Sequence, residues 1–301
     1  MARATLTDIL LWLALASAWS SSYAVIKLGI ETIDPIVLVA GRMIVATIVI
    51  VAVSISLGYR PGRNASAWIS YTVTGLLGNV VPFLLISFGE QSVDSALAAI
   101  LMGFAPVATV ALAVIVLPDE RLTGRIALGL AGALTGIALL VGPSALLGLG
   151  SQIVGQIAIV GATLCYATST VYVRRFVTQP ALEMAAGSTL VGTVVIVGAV
   201  IATGADVSTI EYSAHSLGAI LYLGLVSTAA ANLTYFYLVP RLGATRMSLI
   251  NFAVPVGGAI IGVMFLGEVL ATRQIAALAF IIVSVWFATT RKARDNRQNR
   301  K

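Results

Sequence analysis

The sequence predicts an all-α integral membrane protein, ten transmembrane helices arranged as two inverted five-helix repeats. Three observations predict it. Of 301 residues, 59% are hydrophobic and 10% charged, against roughly 25% charged in an ordinary soluble domain. Ten apolar runs follow one another along the chain, each long enough to cross a hydrocarbon core of about 30 Å as helix. The later five runs also repeat residues of the first five.

The first run, near 8–30, follows Arg3 and contains Ala-Leu-Ala and Ala-Ser-Ala, which look like leader-peptide cleavage sites. Its hydrophobicity continues through Ala24 to Ile30, so it reads as a span, with three serines at the centre of "AWSSSYAVIK". The second, 35–57, holds Arg42, the one charge well inside a span. The third, 66–88, carries Gly78, Asn79 and Pro82, and the fourth, 93–117, carries Met102 and Pro106. The fifth is 122–141; the sixth, 152–174, centres on Cys165, Tyr166 and Ser169. The seventh is 182–203, and the eighth, 215–239, carries Ser227, Thr228, Asn232 and Tyr235. The ninth, 244–266, holds Asn251 and Pro255, and the tenth is 270–290.

A shift of 149 lays "APVATVALAVIVL" on "VPVGGAIIGVMFL" and Gly75-Leu76 on Gly224-Leu225. With a one-residue adjustment Glu120, Leu122 and Arg125 fall on Glu268, Leu270 and Arg273, and a shift of 146 lays Gly41 on Gly187. Residues 1–145 and 146–290 are therefore two copies, followed by a basic tail, 291–301. Five spans per copy is odd, so the second enters the membrane from the opposite face. Inverted repeats suit a carrier, because two equivalent halves can exchange conformations about a midplane site.

With alternating spans, 15 of the 18 basic residues fall on one face, including Arg3, Arg60, Arg63, Arg121, Arg125, Arg174, Arg175, Arg241 and Arg246. The positive-inside rule then makes both termini cytoplasmic. One cysteine and one histidine exclude an intramolecular disulfide and a His/Cys metal cluster. Neither GxxxxGK, HExxH nor GxSxG occurs, so no catalytic residues, metal, cofactor or nucleic-acid partner are expected. The partners are a small-molecule substrate and the lipid bilayer, with no obligatory protein partner.

Polar groups at mid-depth face protein or a wet cavity rather than lipid. The candidate substrate cavity is Trp19, Ser22, Tyr23, Asn79, Met102, Tyr166, Ser169, Asn232, Tyr235 and Asn251, with spans 1, 3, 4, 6, 8 and 9 as its wall. Pro106 and Pro255, at matched repeat positions, each remove a backbone hydrogen bond and are candidate hinges. Arg42 is read first as a structural charge, with substrate contact as the other reading. Lys27 is read first as pairing with Glu31 or Asp34, with contact to a substrate carboxylate as the other reading. All twelve acids lie near span ends or loops, which favours facilitated diffusion over proton coupling unless Glu90 or Asp94 sits deeper.

Taken in order, "AWSSSYAVIK", "GRMIVA", "SALAAILMGFAPV", "DERLT", "NLTYFYLVPRLGATRMSLINFAVPV" and "FLGE" resemble the EamA-type branch of the drug/metabolite transporter superfamily. The resemblance covers nearly the whole chain, with Ser20 after Trp19 where the family often has glycine. Within that family the chain is most similar to bacterial aromatic amino acid exporters. The resemblance implies a multi-pass protein of the bacterial inner membrane that exports aromatic or neutral amino acids and related metabolites by alternating access. Proton-coupled export of drugs or cationic metabolites is the alternative; an intramembrane enzyme or a sensory membrane protein is the reading from another class.

Overall fold

The computed structural model describes residues 5–62, 64–118, 120, 122–141, 151–205, 214–247 and 249–289. The basic tail, Arg3, Arg63, Arg121, four of the acids (Asp119, Asp206, Glu211 and Asp295) and the junction of the two halves at 145 and 146 lie outside the described residues. Among the described residues the structure is helices and the turns between them. Seven helical stretches are long and apolar enough to cross a membrane, and three shorter apolar helices accompany them. Large apolar side chains such as Leu13, Ile48, Ile115, Val194 and Phe265 lie exposed on the outside, as expected where the surrounding solvent is lipid.

Helix α1 (Leu6–Ile30) starts in a capping box in which Thr5 Oγ1 accepts from Asp8 N and Asp8 Oδ2 accepts from Thr5 N. Helix α2 (Pro35–Ser56) has Asp34 as its cap and Pro35 in its first turn, where a missing N–H costs nothing. Helix α3 (Ala65–Gly89) is capped by Asn64 and contains a π-helical stretch at Leu76–Val80. The predicted fourth span is two helices, α4 (Ser95–Met102) and α5 (Ala105–Val116), because the chain tightens through Gly103 and Phe104. Then come α6 (Gly124–Val141), α7 (Ser151–Phe176), α8 (Ala181–Thr203) and α9 (His215–Leu242), the last with a π-helical stretch at Tyr222–Ala230. The short turn α10 (Ala244–Met247) leads into α11 (Ile250–Leu266) and α12 (Thr272–Thr289).

Lipid offers no hydrophobic drive for helices to associate, so small residues and interhelical hydrogen bonds must hold them. Gly75 of α3 lies so close to α8 that a Cβ would stand 2.6 Å from the Ser188 carbonyl oxygen. Gly224 of α9 approaches α2 in the same way, a Cβ there standing 2.6 Å from Val45 Cβ and 3.0 Å from the Arg42 carbonyl oxygen. Those are the same two positions under the sequence offsets of 149 and 146. Between the two contacts, Thr47 Oγ1 of α2 meets Thr193 Oγ1 of α8 at 2.7 Å, two residues 146 apart touching each other. Helices α6 and α12 pack together, with Gly132 against Ser284 and Gly136 against Ile281.

Gly75→Ala and Gly224→Ala should each destabilise the protein by about 1–3 kcal/mol, since backbone or a β-branched side chain must move. Gly198→Ala, whose added methyl meets nothing within 4 Å, should be neutral or stabilising. Thermal unfolding in detergent compares the three; equal melting temperatures would refute the close-contact account.

Candidate functional site

A cavity of about 590 Å³ is lined by residues of the six spans 1, 3, 4, 6, 8 and 9, and by Arg42 of the second. Three serines in a row on α1 show how its wall is built. Ser20 Oγ donates to the Val254 carbonyl of α11, Ser21 Oγ meets Tyr222 Oη of α9 at 2.7 Å, and Ser22 Oγ donates back to Trp19 O and borders the cavity. Ser227 Oγ of α9 returns a bond to Ala18 O at 3.0 Å. The hydroxyls at mid-depth thus fasten α1 to α9 and α11, and their ring neighbours line the space so formed.

Trp19, Ser22 and Tyr23 enter the cavity from α1, Asn79 from α3, Met102 from α4, Tyr166 from α7, Asn232 and Tyr235 from α9 and Asn251 from α11. Pro106, Pro255 and Arg42 border it as well. Ser169 does not. It is buried in the contact between α7 and α3 with its hydroxyl against Gly78, and Thr170, one residue on, takes the cavity position. Pro106 opens α5 at its second residue, after the break at Gly103 and Phe104, whereas Pro255 lies within α11. Phe83, Thr109 and Thr228 border the cavity too, and Phe83 carried no polar atom that a search for mid-depth polarity could register.

Trp19 and Tyr235 pack against each other with ring centroids 5.8 Å apart and planes at 40°, and together they give the cavity an apolar face with polar tips. Asn232 Nδ2 donates to Thr228 O at 2.8 Å. Among the described residues Asn79 and Asn251 have no protein hydrogen bond, so their amides are available to a ligand. Arg42 is 6% exposed, its Nε donating to Thr228 Oγ1 at 2.8 Å and its guanidinium lying 3.7 Å from the Phe83 ring centroid. The described lining includes no Asp, Glu or Lys.

The cavity runs from Ile26 and Ile86 at one pole to Val239 and Met247 at the other. Beyond Ile26 and Ile86 the bundle is shut. Lys27 Nζ donates to the carbonyls of Glu90 and Val93 at 2.6 and 3.1 Å, rather than pairing with Glu31 or with Asp34, which caps α2. Glu268 caps α4, accepting from Ser95 N and Ala96 N at 2.8 and 2.7 Å. Thr32 Oγ1 and Ser216 Oγ close a further bridge at 3.0 Å. Glu90, in the turn between α3 and α4, is fully buried and neither carboxyl oxygen has a partner. Burial pushes its carboxyl well above the usual range, with Lys27 opposing that shift.

At the opposite pole Arg241 Nε meets Asp8 Oδ1 at 2.7 Å, and Arg174 pairs with Glu120 at 2.8 Å. Glu268 and Glu120, matched in the sequence repeat, stand at opposite poles. In a Cys165→Ser background, Thr170→Cys should react with a small water-soluble thiol reagent at least about tenfold faster than Ser169→Cys, because only the former reaches the cavity. Equal rates would show that the cavity wall is drawn wrongly.

The EamA-like transporter family model matches residues 6–142 and again 153–290. An uncharacterised transporter of Archaeoglobus fulgidus is 23% identical over 93% of this chain and 99% of its own. The uncharacterised inner membrane transporter YedA of Escherichia coli is 26% identical over 93% of this chain and 89% of its own. A probable terminal-alkyne amino-acid exporter of Streptantibioticus cattleyicolor is 26% identical over 83% and 82%. A solved crystal structure, 20% identical, superposes with a TM-score of 0.65 over 95% of this chain and 97% of that one, which shows a shared fold. With both matched segments together spanning most of its length, the chain belongs to the EamA-like transporter family and is a multi-pass membrane transporter rather than an enzyme.

Proposed function

We propose that the protein is a facilitative carrier of the bacterial inner membrane that exports neutral amino acids, aromatic ones among them, by alternating access between two inverted five-helix halves, residues 1–145 and 146–290. The observation that carries this reading is the mid-depth cavity whose wall takes helices from both halves and presents aromatic faces, amides and hydroxyls. Such a lining suits a molecule with an apolar body and a few polar atoms.

Several contacts support the inverted arrangement. The family match occurs twice, once per half. Thr47 and Thr193 touch as an axis between equivalent positions would require, and Gly75 on Ser188 repeats as Gly224 on Arg42. The π-helical stretch at 76–80, shifted by 149, falls inside the one at 222–230. Wide turns of this kind commonly stand at functional sites, and here each one presents cavity residues.

At the pole of Glu90 and Lys27, Glu268 caps α4, which supports a state with that end closed. Basic residues on the Asp8 and Arg241 side make that side cytoplasmic, so this conformation faces inward with its external end shut. Proton coupling is the second reading, favoured by one observation, the buried and unpartnered Glu90 carboxyl.

Proteoliposomes containing only this protein, preloaded with radiolabelled tryptophan, phenylalanine and threonine, test both. The facilitative reading expects efflux without an imposed pH gradient. Efflux that requires the gradient would move the account to Glu90, and no flux of any of the three would refute the amino acid assignment.

A further inference from the structure

Arg42 stands at mid-depth in an apolar bundle, where an unpaired charge is expensive. Its surroundings spend one of its donors and leave the rest. The Nε atom is held by Thr228 and one face of the guanidinium rests on Phe83. Among the described residues Nη1 and Nη2 have no hydrogen-bond partner, and neither is sealed off from the cavity that Arg42 borders. Thr228 itself is fixed by donating to Leu223 O at 2.8 Å within the π-helical stretch of α9. The guanidinium is thus held in one orientation, with its two outer nitrogens turned to a space with room for a ligand.

Among the described residues the Arg42 guanidinium has one hydrogen-bond partner, Thr228, and no carboxylate pairs with it. Two parallel N–H donors in a fixed fork match one carboxylate. The described lining provides no acid to receive an ammonium, whose only acceptors would be amide and hydroxyl oxygens and the faces of Trp19 and Tyr235. A phosphate dianion would want a second cation, and the nearby Lys27 is committed to two backbone carbonyls.

We propose that Arg42 is the anchor for a carboxylate on the transported molecule, and that the carrier takes monocarboxylates with an apolar body whether or not they bear an ammonium group. The proposal rests on the carrier reading above but does not need the substrate to be an amino acid. It assigns the negative end of the ligand to Arg42 and leaves the apolar end to the faces that Trp19 and Tyr235 turn to the cavity.

Equilibrium dialysis on the detergent-purified full chain tests it with three radiolabelled probes sharing one ring: phenylalanine, phenylpropanoate, which lacks the ammonium, and phenylalaninamide, which lacks the carboxylate. Phenylalanine and phenylpropanoate should bind with affinities within about tenfold of each other, and the amide roughly 100-fold more weakly. Arg42→Gln should remove that discrimination, and Arg42→Lys, which keeps the charge without the fork, should restore part of it. The wild-type comparison decides even where Arg42→Gln fails to fold. Binding of phenylpropanoate without phenylalanine would sink the amino acid reading and uphold the anchor. Equal binding of phenylalanine and its amide would overturn the anchor while leaving the amino acid reading, and failure of all three probes to bind would overturn the anchor.

Discussion

Close approach of backbones at Gly75 and Gly224 is the contact on which the remaining structure depends. In lipid, apolar surface gains nothing by turning inward, so helices stay together where small residues allow van der Waals contact and where buried polar groups find each other. The two glycines bring α3 onto α8 and α9 onto α2, and the Thr47 and Thr193 hydroxyls meet between them. This four-helix arrangement fixes where Arg42 and Thr228 lie relative to one another, since Gly224 abuts the backbone of Arg42 itself. A side chain at Gly224 would displace the guanidinium along with the helix. Packing and site chemistry are therefore coupled through one contact.

On this frame the π-helical stretches of α3 and α9 have a definite consequence. A wide turn rotates the residues after it relative to those before, so that one helix can present both a packing face and a cavity face. In α3, Gly75 packs against α8 while Asn79, just beyond, reaches the cavity; in α9, Gly224 packs against α2 while Thr228 and Asn232 reach it. Serines and threonines divide the same labour on α1, where Ser20 and Ser21 fasten neighbouring helices and Ser22 faces the cavity.

Much of this was legible in the sequence because membrane helices obey simple constraints. Run lengths pointed to the apolar helices, and the Gly75 and Gly224 correspondence, read in sequence only as a repeat match, falls on two close helix contacts. Amides and tyrosines at mid-depth pointed to the cavity, since those groups are costly in lipid. Ser169 missed it by one position, because polarity marks a residue as facing protein without saying which side of the helix meets the cavity. Phe83 carried no signal, being indistinguishable in sequence from a lipid-facing aromatic. The break at Gly103 and Phe104 was hidden behind Pro106, the stronger local signal. Lys27 went to the carbonyls of Glu90 and Val93 across the bundle rather than to Glu31 or Asp34 nearby in the chain, because neighbours in space rather than in sequence set its partners.

Under the proposed alternating access, the end that Glu268 closes on α4 opens in each transport cycle. Ser95→Cys with Glu268→Cys, in a Cys165→Ser background, can be bridged by a short bifunctional thiol reagent that replaces the cap with a covalent link. The account predicts that bridged protein in proteoliposomes loses net substrate efflux while a Thr109 position, on the cavity wall of α5, stays reachable by solvent reagents, and that cleaving the bridge restores flux. Undiminished efflux through the bridged protein would contradict it.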